Sequence, residues 1–534
     1  MSSELIYEAT EMRVRQSKRT LLSPYALTWF MHSLLRILSP HHTKHSRPPS
    51  NHDVHHQIQT LPQEICNVII DQLRDNRSTL TACALVSHAW LEHTRHHLFH
   101  TTTVNGFFFK FERFLSATPS VCGHIYQLKL SHGVDLDNSD EESPSHAYSY
   151  DDHFTSSEEP VKETQSSATE RESSLLNASL LISILGHLPN LQKLELSYSF
   201  WNGGIFFDPL LHVHVHPKSG LPTAHVPTPI SLKELRLFGL VFPSCSDTQV
   251  NSFLTLSKAF LHLLSLFAQV DYLSIDYLFP EHENTFRAAS YSDLLRSLHL
   301  LQEHDIPPAL QVRSLRLDDA ILGYVTLELI RRTDVTESLR NLDFVCGDWD
   351  MMQAGDALIR DTGPNLESLR TDMCEFVAQE TKAHTDLSRN KVLSLSTCDN
   401  LQSFSVILWL SDDEIPRSIW HFNTLLEILS SLPTPSTLHT FTLILGKSRY
   451  HHGDILDGLE CLNWFGLDKL LSGFNNLQRV NLGMRASLGG RKYNEIDPLE
   501  ILEYESIVFE TKLPGALSRG ILDFRDESEL LEEV

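Results

Sequence analysis

Along most of this chain, apolar residues recur in a short phrase, Leu-x-x-Leu-x-Leu or a close variant. The last two apolar positions of each phrase are two residues apart, so they share one face of a short strand while the middle residue faces the other way. Recurrence of such a unit predicts a repeat protein. The copies begin at Leu191, Leu232, Val270, Val312, Leu339, Leu401, Leu438 and Leu477, with an early copy at Ile125 and a truncated one at Leu366.

Between many of these phrases the apolar residues follow a helical period. Examples are the stripes within 253–267, 294–301 and 425–429. A strand, a helix and a second parallel strand together bury both kinds of apolar surface, and no unit of this size could do so alone. The sequence therefore predicts an α/β fold, a solenoid with a parallel sheet and outer helices.

The segment 57–104 has a different pattern, typical of three short helices. The first helix has an apolar stripe at helical spacing that includes Ile65, Val68 and Leu73. Three short helices make a marginal core, and a surplus apolar face on such a unit is usually covered by a partner. We therefore expect the segment to dock onto another protein.

The same segment resembles the F-box. The match is Leu61-Pro62-x-Glu64-Ile65, Ile69, Leu73, then Leu80-x-x-Cys83-x-x-Val86-Ser87-x-x-Trp90, then Leu98-Phe99. In that family the module binds the small adaptor Skp1, which links it to a cullin-based ubiquitin ligase. The resemblance implies Skp1 contact by Leu61, Pro62, Ile65, Ile69 and Leu73. It implies a helix core of Leu80, Cys83, Val86, Trp90, Leu98 and Phe99.

The recurrent phrases resemble the irregular leucine-rich repeats of fungal F-box proteins, although the Asn that normally follows each repeat strand is missing. The expected organisation is a flexible N-terminal segment with a possible amphipathic helix, an F-box-like domain, a first repeat-like unit, an acidic insertion, a repeat domain, and a C-terminal cap with an acidic tail. These occupy residues 1–56, 57–104, 105–132, 133–173, 174–485 and 486–534.

Composition narrows the class of function. A net charge of −25 argues against binding to nucleic acid or to an anionic membrane. No apolar run is long enough to span a bilayer, and the eight cysteines contain no C-x-x-C pair, which fits a cytoplasmic or nuclear protein. Nucleophile-elbow, phosphate-loop and dinucleotide motifs are absent from the sequence, so we expect neither an enzyme nor a cofactor.

Two further sets of residues are candidates for binding. His212, His214 and His216 alternate along one strand face and could share a zinc ion, but a polar strand edge is the simpler interpretation, and we expect no metal. The middle residues of the phrases form a mixed-charge row that we expect to face a protein substrate. The candidates are Lys129, Glu195, Arg236, Arg316, Asp343 and Arg370.

The expected function is that of a substrate adaptor in a Skp1–cullin–F-box ubiquitin ligase. The F-box-like segment would dock Skp1, and the repeats would hold a protein substrate. The alternative is a repeat-type interaction scaffold that has no role in ubiquitin transfer.

Overall fold

A computed structural model describes residues 62–131, 176, 178–197, 230–242, 249–280, 291–302, 305–307, 310–318, 323–347, 349–373, 393–410, 415–447, 459–485 and 509–525. The chain divides into two compact units, with the boundary between Thr94 and Arg95. We call them the helical unit and the sheet unit.

The helical unit is built on α1 (Gln63–Gln72), α2 (Arg77–Ala84) and the first part of α3 (His88–His100). The Asn76 side chain caps α2 by accepting a hydrogen bond of 3.0 Å from the Thr79 backbone N–H, which satisfies one of the free donors at a helix start. Its buried apolar residues are Cys66, Ile70, Leu73, Leu80 and Cys83.

The described residues of the sheet unit form twelve strands that are parallel and hydrogen-bonded in chain order. They are β1 (Thr101–Asn105), β2 (Gln127–Ser131), β3 (Lys193–Ser197), β4 (Ile230–Phe242), β5 (Phe267–Pro280), β6 (Gln311–Leu317), β7 (Asn341–Val345), β8 (Ser368–Met373), β9 (Ser403–Leu410), β10 (Thr440–Lys447), β11 (Arg479–Arg485) and β12 (Leu522–Phe524). The prediction of an α/β fold with a parallel sheet is confirmed.

Among the described residues, helices lie between most pairs of successive strands, although none is described between β3 and β4 or between β8 and β9, and they cover the leucine-bearing side of the sheet. They are α4 (Phe108–Ala117), α5 (Pro119–Cys122), α6 (Ala178–Gly186), α7 (Gln249–Leu264), α8 (Tyr291–Leu298), α9 (Gly323–Arg331), α10 (Val335–Ser338), α11 (Trp349–Thr362), α12 (Ile415–Ser430), α13 (Trp464–Gly473) and α14 (Pro514–Ser518), with a 3₁₀ turn at Gly363–Asn365. One apolar core runs between helices and sheet from Phe108 to Ala516. Each repeat therefore buries its apolar surface against its neighbours.

Asparagines in the turns before several strands tie successive repeats together. The side-chain amides of Asn190, Asn400 and Asn476 donate to backbone carbonyls of the preceding repeat, those of Gly123, Pro364 and Ser436, at 2.8, 2.6 and 2.8 Å. Three repeats thus share an asparagine in the turn before the strand, and its amide provides a hydrogen-bond donor for a turn carbonyl.

The described helices include none that is both long and apolar enough to cross a membrane. Six cysteines in the described part of the chain carry free thiols, and five of them are buried.

Candidate functional site

The helix α1 is apolar on two sides. Cys66, Ile70 and Leu73 lie at helical spacing and are buried in the helical unit. Ile65 and Val68 lie on the other side, and their side chains are 48% and 57% exposed. A short helix needs only one buried apolar stripe to hold its place, so the second stripe is available for an intermolecular contact.

A second group of exposed aliphatic side chains follows the end of α2. Leu85 is 85% exposed and Val86 is 56% exposed. Val86 was expected in the core of the three helices, and that expectation is wrong because its side chain lies at the surface. We call Ile65, Val68, Leu85 and Val86 the aliphatic surface.

The remaining residues of the F-box match lie in varied environments. Leu73 was expected to contact Skp1 but is only 8% exposed, so its side chain already packs inside the unit. Leu80 and Cys83 are buried as expected, and Trp90 is half-buried. Phe99 packs against the core of the sheet unit, and Leu98 is half-buried. Pro62 is exposed, Ile69 is half-buried, and Leu61 lies outside the described residues.

Two polar contacts hold α1 against α3 inside the helical unit. The Gln63 side-chain amide donates to the Ala89 carbonyl at 3.1 Å, and His93 Nε2 lies 2.7 Å from Asp71 Oδ1. These contacts join α3 to both ends of α1. They fix the helix that carries Ile65 and Val68, so this part of the aliphatic surface is presented on an anchored element.

The second candidate surface lies on the face of the sheet opposite the leucine core, which we call the polar face. Strand register places the middle residues of the repeats directly beside one another in a single row. From β1 to β12 the row is Thr103, Lys129, Glu195, Arg236, Ser274, Arg316, Asp343, Arg370, Ser405, Thr442, Asn481 and Asp523. All six candidate residues of the mixed-charge row therefore belong to one line, in which Ser274 separates Arg236 from Arg316. Contact with a substrate stays a prediction.

Ion pairs between neighbouring strands organise the first part of the row. Lys129 Nζ lies 2.9 Å from a Glu195 oxygen. Glu234, two residues before Arg236 on β4, pairs with both Lys193 and Arg236. Burial favours the neutral form of Glu234, but these pairs outweigh that effect and lower the pKa of Glu234. Basic and acidic side chains therefore alternate closely in this part of the polar face.

The centre of the row is an arginine surrounded by carboxylates. Arg316 lies 2.7 Å from Asp318, and it lies 3.9 Å from Asp343 on the neighbouring strand. Burial raises the pKa of Asp343 to about 6 against the opposing effect of the nearby arginines. Burial raises the pKa of Asp276 to about 7, and the hydrogen bond and charge of Asp318 add to that shift. The carboxyl groups here lie so close together that the arginines do not offset all of their mutual repulsion.

Between β8 and β11 the row is largely closed to solvent. Arg370 has a side chain only 11% exposed and lies 3.8 Å from Asp343. Ser405, Thr442 and Asn481 are buried, and the Asn481 amide donates to Thr442 Oγ1 at 3.1 Å. The neighbouring positions Ile407 and Ile444 are also buried and form a small apolar cluster with Trp409 on this face. Of the six candidates, Arg370 is therefore the least available for a substrate.

Sequence reasoning missed the acidic residues that flank the row. Asp276, Asp318 and Asp372 follow the row by two positions, so the alternation of strand residues already placed them on the same face. Their pairing could not be read from one strand at a time, because it depends on which strands are neighbours. The histidine trio 212–216 lies outside the described residues.

No protein-family model matches this chain, and no curated protein matches it. Its function has to be inferred from the aliphatic surface and the polar face.

Proposed function

We propose that this chain is a non-catalytic substrate adaptor of a Skp1–cullin–F-box ubiquitin ligase. The helical unit would dock a Skp1-type adaptor through the aliphatic surface, and the polar face of the sheet unit would bind a protein substrate. The proposed site of action is the cytoplasm or the nucleus.

The observation that carries this proposal is the second apolar stripe of α1. Ile65 and Val68 are each about half exposed although Cys66 and Ile70 are already buried inside the helical unit. An exposed aliphatic pair on an anchored helix costs solubility without adding to packing, so a partner that covers it is the simplest reason for its presence. The F-box resemblance of the surrounding residues names the partner. The extended polar face beside a continuous core supplies a surface of the kind repeat proteins use for binding.

The test is co-purification of the full chain with Skp1 and a cullin. Ile65→Asp would place an unpaired carboxylate in the apolar contact, and we expect about 100-fold weaker capture of Skp1. Because Ile65 is half-exposed in the free chain, the variant should fold. Far-ultraviolet circular dichroism and a thermal melt check this.

Thr81→Asp is the matched control. Thr81 is exposed on α2, one turn before Leu85, so it adds the same charge to the same unit outside the α1 stripe of Ile65 and Val68. We expect it to retain Skp1. Normal capture of Skp1 by a folded Ile65→Asp variant would contradict the proposed docking mode. The alternative function, an interaction scaffold with no role in ubiquitin transfer, would then be favoured.

A further inference from the structure

The sheet unit exposes a group of aromatic rings at one end of the repeat array. They lie on and next to α4, which follows the edge strand β1. Phe107, Phe109 and Phe114 are 59%, 49% and 41% exposed. The other exposed large apolar side chains described in this unit lie singly and far apart in the chain, at Leu300, Phe465 and Leu517. Single exposed apolar residues are ordinary, whereas a contiguous group indicates a contact surface.

The inner side of α4 is already used by the repeat array. Phe108 and Leu115 are buried. Glu112, the acidic residue of the helix, accepts a hydrogen bond of 2.9 Å from Ser183 Oγ on α6 and lies 3.8 Å from His187. The exposed rings lie outside this contact, so packing of the array does not account for them.

Helical spacing brings the exposed rings together with two cations. Lys110 and Arg113 are exposed, and each lies one turn from an exposed ring, Phe114 and Phe109 respectively. Lys110 Nζ also lies 4.2 Å from the centre of the Phe107 ring. These three aromatic rings and two cations form one surface, which we call the aromatic–cationic surface.

The backbone in front of α4 is strained in a way that displays one of these rings. Phe107 has a φ of 47°, in the left-handed region that a bulky side chain rarely adopts. Its ring is more than half exposed, so burial of the ring offsets little of this strain. Residues held in rarely populated backbone conformations concentrate at ligand contacts and other functional sites.

The charge of the surface identifies the kind of partner. Lys110 and Arg113 have no carboxylate partner among the residues that the structure describes, although the whole chain has a net charge of −25. Free cations beside exposed rings complement a ligand that carries both carboxylates and apolar groups. An anionic membrane or a nucleic acid fits less well, because binding to either depends on many basic residues and the net charge opposes it.

We propose that the aromatic–cationic surface binds an acidic segment of a partner protein that also carries aromatic or aliphatic side chains. The carboxylates of the segment pair with Lys110 and Arg113, and its apolar side chains cover Phe109 and Phe114. This contact is additional to the adaptor function and does not depend on it.

The test measures binding of a fluorescent peptide to the full chain by anisotropy at about 0.15 M salt. The peptide has about twelve residues of aspartate and glutamate interspersed with tryptophan. Lys110→Gln/Arg113→Gln removes both charges from exposed positions, and we expect about tenfold weaker binding, as for loss of a hydrogen bond to a charged group. Phe109→Ser removes a half-exposed ring, and we expect about fivefold weaker binding from the lost apolar contact.

The helix α13 supplies the matched controls, because it also exposes a phenylalanine four residues before a lysine, at Phe465 and Lys469. Arg313→Gln/Lys469→Gln removes the same charge from exposed positions elsewhere, and Phe465→Ser removes an exposed ring. Each control should bind the peptide within about twofold of the wild type, because exposed charges act weakly at this salt. Equal losses in the α4 and control variants, or no loss in the α4 variants, would overturn the proposal.

Further arms separate this partner from other occupants of the surface. Vesicles of phosphatidylserine and phosphatidylcholine should not retain the chain, and retention that Lys110→Gln/Arg113→Gln abolishes would replace the proposal with a membrane contact. A wild type that sediments as a dimer, with the same variant monomeric, would replace it with a second copy of this chain. No peptide binding to the wild type, as expected if the chain's own acidic stretch 133–173 occupied the surface, would also overturn it.

Failure of this surface and failure of the Skp1 proposal are separable. Ile65→Asp should bind the acidic peptide as the wild type does, and Lys110→Gln/Arg113→Gln should still co-purify with Skp1. A variant at Lys110 and Arg113 that loses Skp1 while keeping the peptide would contradict the placement of both sites.

Discussion

The two ends of the polar face use the same row of strand positions in opposite ways. From β2 to β6 the row carries long, partly exposed charged side chains such as Lys129, Arg236 and Arg316, interrupted at β5 by the small, buried Ser274. From β9 to β11 it carries Ser405, Thr442 and Asn481, which are small and buried. The repeat backbone is continuous through both ends.

This difference separates a surface free to serve binding from one constrained by packing. A charged side chain that reaches solvent contributes little to stability, so its identity can follow the needs of a ligand. A buried position must match its neighbours in size and must satisfy its polar atoms, as Thr442 does by accepting from Asn481. We therefore propose that the β2–β7 part of the face serves binding and that the β8–β11 part serves stability.

The sharpest test of this comparison introduces a carboxylate at the buried end. Thr442→Asp places a charge at a position 6% exposed, on a side chain too short to reach water. We expect the free energy of unfolding to fall by about 2–4 kcal/mol, measured from the urea midpoint.

Lys129→Asp is the matched control, since it puts the same residue in the same row at the open end. It loses the pair with Glu195 and sets two carboxylates side by side, yet both groups remain partly in solvent. The expected loss is about 1 kcal/mol or less. Similar losses at the two positions would show that both ends of the row are equally constrained.

A pH series examines the centre of the row, between the two ends. The pKa of Asp276 rises from 3.8 to about 7 on folding, so between these values the folded chain holds more protons than the unfolded chain. The contribution of this carboxyl group therefore becomes less favourable as pH rises through that window. Asp276→Asn removes the charge that opposes folding, and we expect it to raise the midpoint of thermal unfolding by about 1–3 °C at pH 8.

At pH 3 the same variant should match the wild type closely, because Asp276 is then mostly protonated in both states. Asp271→Asn, on the exposed flank of the same strand, supplies the baseline. A variant that is destabilised at pH 8 would mean that the ionised carboxylate is structurally required.

The repeat fold was predictable because it depends on a local pattern that recurs. Each phrase predicts a strand with an inward apolar pair. Because every copy predicts the same strand, equivalent residues such as Leu194, Leu235 and Leu315 lie in register in the sheet. The row of middle residues followed from the same alternation. What the sequence did not reveal was the change in exposure along the row. Arg370 and Arg316 occupy equivalent positions, and only their neighbours on the folded sheet make one buried and the other open.

The helical segment was harder to interpret in detail. Helical spacing shows that α1 is apolar on more than one side, but it does not say which stripe faces its own unit. The structure assigns Cys66, Ile70 and Leu73 to the inside, and it puts Val86 outside. Burial in a unit this small is decided by how three helices cross, which depends on side-chain fit rather than on spacing.

The smallest expected effect is at Arg236, on the open end of the row. Glu234 pairs with Arg236 and also with Lys193 at 2.7 Å, so Arg236→Ala leaves the carboxylate with a partner. We expect the free energy of unfolding to change by no more than about 0.5 kcal/mol, as is usual for an exposed pair. Arg370→Ala is the comparison at the closed end, where an 11% exposed side chain leaves Asp343 with one arginine fewer in a buried setting, and we expect a loss of about 1–3 kcal/mol. If urea unfolding gives equal losses for the two arginines, exposure does not distinguish the halves of the row, and the assignment of binding to its open end loses its physical basis.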